Sequence, residues 1–215
     1  VPRSQHEAWE AIAQSFDRTR TRAWPHVGDY LRPLRPGSRV LDLMAGNGRH
    51  TRQILQAGLE AVWVDWSRPA ARIAAARCPE AAVLAADATR LPLRDASFDA
   101  CIFVAGLHSV PTAEGRAQCL RELHRVLRPQ ATAQVTVWSR DAPRFRRQGV
   151  PDRPLDIVLP WRSDGHDEMR QYHLYTSTAL RDELERAGFA VDSVDGVAIV
   201  AEEVDNLVAV ARRAG

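Results

Sequence analysis

The segment Ser38–Arg49, SRVLDLMAGNGR, commits the chain to one local path. A short apolar run carries Asp42, and Gly46 and Gly48 follow just before a stretch with helical spacing from about Gly48 to Ala57. Glycine reaches backbone conformations with positive φ at little cost, so this pattern predicts a strand that turns sharply into a helix. Met44 stands where such turns usually place a further glycine.

The same strand–helix rhythm runs on. Ala61–Val64, Ala82–Ala85, Phe98–Val104 and Ala131–Trp138 read as strands, with Pro69–Arg77 and Ala113–Leu127 as helices between them. A late helix over Thr176–Ala187 is stopped by Gly188, and strands over Ala190–Val194 and Asn206–Ala211 follow. This order predicts an α/β fold: a Rossmann-like, doubly wound sheet of about seven strands, with a final antiparallel strand and helices on both faces. At 215 residues the chain is expected to form a single domain over 1–215. Its N-terminal part, 1–37, reads as a helical cap, because His6–Arg18 places Trp9, Ile12, Ala13 and Phe16 on one helical face before a second short helix near Val27–Leu34. Residues 139–171 break the rhythm with Pro143, Pro151, Pro154 and Pro160, and are expected to be a long substrate-side loop.

Composition narrows the function classes. All 29 basic residues are arginine, yet the net charge is only +2, so binding to nucleic acid would need a local patch. Cys78, Cys101 and Cys119 are far apart, which predicts free thiols in a reducing cytoplasm. Neither those cysteines nor the scattered histidines have metal-ligand spacing. The polar start Val1–Trp9 does not resemble a signal peptide, and no apolar run approaches the ~20 residues of a membrane span, so no membrane association is expected.

In a doubly wound sheet, ligands bind at the C-terminal strand ends. Asp42, Gly46 and Gly48 fall there, beside the free N–H groups of the next helix. Asp65 ends the second strand, placed to accept hydrogen bonds from ribose hydroxyls, and Trp66 beside it either covers an adenine edge or belongs to the core. Asp87 either meets a purine amine or caps its own turn. The spacing departs from the dinucleotide fingerprint, since Thr51 stands at its third glycine position. A carboxylate at Asp42 would repel a pyrophosphate but attract the amine and sulfonium of S-adenosylmethionine (SAM).

The runs VLDLMAGNGRH, VDWS, DATRLPLRDASFDACI and LRELHRVLRP make residues 38–138 resemble the class I SAM-dependent methyltransferases. That resemblance implies SAM as cofactor and S-adenosylhomocysteine as product. It further implies that the first loop holds the methionine portion, that Asp65 binds ribose and that Asp87 and Ala88 border the adenine. The family pattern DxGCGxG is altered, with Met44 and Ala45 replacing glycine and cysteine, so Met44 is expected to narrow the cofactor pocket.

Flanking segments resemble a narrower group, the tRNA wobble-uridine carboxymethyluridine methyltransferases. These are IAQSFDRTRTRAWPHV (Ile12–Val27), AGLHSV (Ala105–Val110), VTVWS (Val135–Ser139), DIVLPW (Asp156–Trp161) and QYHLYTSTALRDELERAGF (Gln171–Phe189). The resemblance implies esterification of a carboxymethyl group in a tRNA anticodon loop and a small zinc-binding activator as partner. Under it, Arg20 or Arg22 pairs with the acceptor carboxylate, Arg22 being the catalytic candidate, while His108 orients the carboxylate or bonds the uridine. Trp24, Trp138 and Trp161 stack on bases or serve as packing anchors, with Tyr172 and His173 in the same pocket. Arg140, Arg144, Arg146, Arg147 and Arg153 form either a phosphate track or a solvated loop. Two other functions stay open: a methyltransferase acting on a small-molecule acceptor, and a non-catalytic SAM-binding partner protein.

Overall fold

The computed structural model describes residues 4–146, 155–163, 165–199 and 203–215. Strands β1 (Arg39–Leu43), β2 (Glu60–Asp65), β3 (Ala82–Ala85) and β4 (Phe98–Val104) are short and mostly apolar, and with the longer β5 (Leu127–Trp138) they pair in parallel. Two later strands, β8 (Phe189–Val197) and β9 (Asn206–Arg213), complete a seven-stranded sheet in the order β3-β2-β1-β4-β5-β9-β8. Strand β9 runs antiparallel between β5 and β8. Strand order reverses between β1 and β4, and the crevice at such a switch point is where open α/β sheets take their ligands.

Side-chain alternation explains why both faces are covered. On β1 and β4, Leu41, Leu43, Cys101 and Phe103 join a core with Leu120 and Leu123 of α5 (Ala113–Val126) and Leu180 and Leu184 of α7 (Ser177–Arg186). The intervening Val40, Ala100 and Ile102 pack on the other face against Val27 and Leu31 of α2 (Pro25–Leu31) and Ile54 of α3 (Arg49–Gln56). With both faces covered, these strands read in the sequence as continuous apolar runs between helices, which is what made the sheet predictable.

Helix α1 (Gln5–Thr19) begins with a capping box: Ser4 Oγ accepts from the Glu7 N–H, and the Ser4 N–H donates to the Glu7 carboxylate at 2.7 Å. Its far end is fixed by a polar knot. Asn47 Nδ2 donates to Asp17 Oδ1 and to the Arg20 carbonyl, both at 2.9 Å, and Arg77 of α4 (Arg68–Arg77) pairs with Asp17 at 2.6 Å. The end of α1 therefore sits over the glycine turn.

Residues 139–171 are not the long loop expected from their prolines. They contain a short helix, α6 (Pro143–Arg146), and most of an antiparallel hairpin, β6 (Leu155–Ser163) with β7 (His166–Leu174). Pro160 is tolerated because this two-stranded sheet consists only of edges, where a missing N–H need not break a ladder. One hairpin face carries Ile157, Leu159, Trp161, Arg170 and Tyr172, and the other carries Asp156, Val158, Met169 and His173. The first face meets α1: Trp161 Nε1 donates to Ser15 Oγ at 2.8 Å, and Gln5 exchanges hydrogen bonds with the Gln171 backbone at 3.0 Å. Among the described residues, no helix is long and apolar enough to cross a membrane.

Gly48 caps α3 with φ at +75°, and a Cβ there would lie 3.2 Å from the Ala74 Cβ of α4. A Gly48→Ala variant is expected to lose about 1–2 kcal/mol from the left-handed backbone alone. Denaturant unfolding checks this; an unchanged midpoint would mean that the turn relaxes freely.

Candidate active site

Between β1 and α3 the backbone enters the left-handed region at Met44, Gly46 and Gly48, with φ of +53°, +54° and +75°. Met44 holds this conformation opposite Gly106, at the end of β4. A Cβ on Gly106 would stand 2.8 Å from the Met44 Cβ and 2.6 Å from Phe103 Cε2. The glycine missing from the turn has in effect a counterpart across the crevice, where a side chain is forbidden.

The turn is held by acids. Asp65 accepts the Gly46 N–H at 3.0 Å on Oδ2 and the Ser67 N–H at 2.9 Å on Oδ1, while Trp63 Nε1 donates to the Gly46 carbonyl at 3.0 Å. Asp42 is buried and accepts from Thr51 Oγ1 at 2.6 Å. Burial pushes its carboxyl up to about 7, opposed by the Thr51 hydrogen bond and the nearby Arg49 charge. Burial raises Asp65 as well, against its backbone hydrogen bonds.

Asp42, Ala45, Gly46, Asp65 and Trp66 line a cavity of about 430 Å³. Asp87, Ala88 and Trp66 line a smaller one of about 80 Å³, and Met44 borders both. Two buried carboxyls beside the large cavity and a narrow, mostly apolar annex suit a ligand with a cationic portion, a ribose and a flat base. SAM fits that donor set. Asp87 also caps its own turn, since its Oδ1 accepts from both the N–H and the hydroxyl of Thr89 at 2.8 Å. Gly48 is placed differently from the expectation: it is absent from the cavity wall and serves the approach of α3 to α4.

The far wall of the large cavity comes from α1, the linker after it, the end of β5 and the hairpin. Arg20, Trp24, His108, Trp138, Trp161 and Tyr172 all line it. The Trp138 N–H donates to His108 Nδ1 at 3.2 Å, so the ring proton sits on Nε2. Burial, together with the charges of Arg144 and Arg170, lowers His108 to about 3, and the imidazole is neutral at working pH. Its ring stacks on Trp138 with centroids 4.6 Å apart.

Two expected members are elsewhere. His173 follows Tyr172 on a strand and so faces the other side of the hairpin, where Nδ1 meets Asp156 at 2.8 Å. Arg22 is exposed on the linker and is absent from the cavity wall, whereas Arg20 lies over the Phe16 and Trp161 rings at 5.7 and 5.4 Å. Of the five arginines read as either a phosphate track or a solvated loop, only Arg140 and Arg144 have described side chains. Arg140 is buried and pairs with Asp141, and Arg144 lies 4.1 Å over the Trp138 ring at the cavity. Arg147, Arg153 and the side chain of Arg146 lie outside the described residues.

Sequence reasoning missed Arg49, His50 and Arg170, which also line the cavity. His50 Nε2 accepts the Trp24 N–H at 3.3 Å and anchors the linker. Arg170 was legible only as an alternate residue with Tyr172 on one strand face. Among the described residues, no group of three His, Cys, Asp or Glu is arranged to hold a metal.

Two predictions follow from this geometry. Gly106→Ala should cost roughly 1–3 kcal/mol by overpacking. Pairing it with Met44→Gly should recover part of that loss in a double-mutant cycle, and strict additivity would deny the Met44–Gly106 contact. Asp42 has a native value above its unfolded one, so the folded state holds its proton more tightly. The ligand-free chain should therefore lose stability as pH rises from about 4 to about 7 and then level off. Asp42→Asn should flatten that slope in urea titrations; a slope unchanged by the variant would mean that Asp42 ionises without penalty.

Residues 40–130 match the family model described as "Methyltransferase domain". The tRNA (carboxymethyluridine(34)-5-O)-methyltransferase ALKBH8 of Macaca fascicularis is 36% identical over 134 residues, covering 62% of this chain and 20% of that protein. The tRNA (carboxymethyluridine(34)-5-O)-methyltransferase of Schizosaccharomyces pombe is 26% identical over 206 residues, covering 86% of this chain and 88% of its own length. Across seven relatives including ALKBH8, the chain spans only 20% to 34% of their length. Among solved structures, the 1,6-didemethyltoxoflavin-N1-methyltransferase of Burkholderia thailandensis, with S-adenosylhomocysteine bound, superposes with a TM-score of 0.73 at 22% identity, covering 100% of this chain and 92% of that one. The sheet order, the acid-clamped turn and these likenesses agree: the chain has the fold of the SAM-dependent methyltransferases, and its residues 40–130 are similar to their methyltransferase domain.

Proposed function

We propose that this chain esterifies the carboxymethyl group of a modified wobble uridine in tRNA. The observation that carries the reading is the charge of the acceptor wall. Arg20, Arg49, Arg144 and Arg170 all line one cavity, and among the described residues none of them forms a salt bridge with a carboxylate. They are interleaved with Trp24, Trp138, Trp161 and Tyr172. Such a wall suits a flat ring bearing an anion, and stacking on aromatics is a usual way to hold an unpaired base. The likeness to carboxymethyluridine methyltransferases of animals and yeast supports the same acceptor.

The chemistry asks little of the protein beyond alignment. A carboxylate is ionised near neutral pH and needs no general base. Bound SAM supplies a sulfonium methyl: the acceptor oxygen bonds the methyl carbon while sulfur keeps the electron pair of the broken bond, and no proton moves. Neutral His108, with its proton on Nε2, can donate a hydrogen bond to the acceptor without quenching it by full protonation. The α1–hairpin roof shields the site, and holding the two reactants in line is a large part of the barrier reduction. The partners in this reading are the tRNA anticodon loop and a small zinc-binding activator.

A second reading takes a free aromatic acid as the acceptor, which the same wall of arginines and aromatic rings suits.

Labelled SAM offered with tRNA carrying unesterified carboxymethyluridine decides between them. Base-labile label at the wobble uridine, with or without a candidate activator, is the expected result. Label appearing only on small acids would replace the RNA reading with the second one.

A further inference from the structure

Arg170 differs from the other three arginines of the cavity. Its side chain is only 6% exposed, whereas Arg20 and Arg144 are exposed at the rim and Arg49 is half-buried. Its Nε is buried without a hydrogen-bond partner, and it has no salt bridge among the described residues. Burying a guanidinium in this state is unfavourable, because it loses water and gains no anion. Only the π faces of Trp9, Trp161 and Tyr172 compensate, at 5.2, 4.8 and 5.2 Å from the guanidinium carbon.

The surroundings are charged alike. Arg20 adds to the burial that lowers Arg170, and both Arg144 and Arg170 act on His108. Asp205 offsets the charge of Arg144, but among the described residues no carboxylate forms a salt bridge with Arg170. The planar fork of arginine matches two carboxylate oxygens, and the three rings around its carbon confine where that fork can lie. Placement is also right: Arg170 lines the same cavity as Gly106 and His108 at the end of β4, next to the turn that holds the cofactor.

We propose that Arg170 is the specificity-determining residue of the acceptor site, receiving the ionised carboxylate of the group to be methylated and rejecting its neutral amide counterpart. This rests on the carboxymethyluridine reading for the identity of the ring, but not for the preference of acid over amide. Arg20 and Arg144, at the rim, supply field and entry; Arg170 supplies the contact.

The test compares equilibrium binding of 5-carboxymethyluridine and 5-carbamoylmethyluridine, each with S-adenosylhomocysteine present, by tryptophan fluorescence and calorimetry. Wild type should prefer the acid by at least tenfold. Arg170→Met should abolish the preference while leaving S-adenosylhomocysteine affinity unchanged, and Arg170→Lys should keep part of it. Thermal unfolding adds an independent readout. Removing an uncompensated buried charge for an apolar chain of similar reach should leave Tm equal or higher, whereas a structural arginine would lower it. A preference that survives in Arg170→Met overturns the proposal, and so does equal loss of acid and amide binding with a fallen Tm. Should Arg170→Met fail to fold, the proposal is likewise overturned, because the residue is then structural. If wild type binds neither nucleoside, the uridine reading fails. Phenylacetate against phenylacetamide then tests Arg170: an acid preference lost in Arg170→Met upholds the assignment, and its absence in wild type overturns it.

Discussion

Everything in the site depends on how the chain leaves β1. Within five residues it must turn into α3, and it does so by putting alternate residues, Met44, Gly46 and Gly48, into the left-handed region. Such a path is costly for any residue with a side chain, so other parts of the fold hold it in place. Asp65 grips the Gly46 N–H, Trp63 grips its carbonyl, and Gly106 leaves room for the Met44 side chain. The Asn47 knot then uses the same turn to position the end of α1. Cofactor site and acceptor wall thus share one anchored piece of backbone.

The second organising force is the chain's exclusive use of arginine as its cation. A guanidinium is planar and weakly hydrated, so it can lie on an indole face, where a lysine ammonium would remain a hydrated point charge. Arg144 on Trp138, Arg20 on Trp161 and Arg170 among three rings all use this property. The cavity can therefore hold several like charges close together on one wall, with the carboxyls of Asp42 and Asp65 buried at the other.

The sheet was legible because its signal is local: short apolar runs, helical spacing and glycine punctuation all act within a few residues. The acids at the strand ends were legible for the same reason. The hairpin was obscured by prolines that an all-edge sheet can accept, although Ile157, Leu159 and Trp161 already alternate with exposed neighbours. Gly48 looked like its neighbour Gly46 because sequence shows that a side chain is unwelcome, but not whether a ligand or Ala74 forbids it. Tyr172 and His173, or Arg20 and Arg22, are near neighbours in sequence with different surroundings in space. The surroundings of Arg170 were not legible, since its three rings come from α1 and both strands of the hairpin.

The roof of α1 and the hairpin has a consequence for how such a chain diversifies. Its segments lie on either side of the β1–β5 stretch that carries the turn and its acids. Replacements in the hairpin and on the face of α1 toward it change the shape and polarity of the cavity, while Asp65 and Trp63 keep their hold on the turn. Changes confined to the hairpin can therefore alter what the cavity accepts while the turn beneath stays fixed. A fold partitioned in this way explains, from its own geometry, how one donor chemistry comes to serve many recipients.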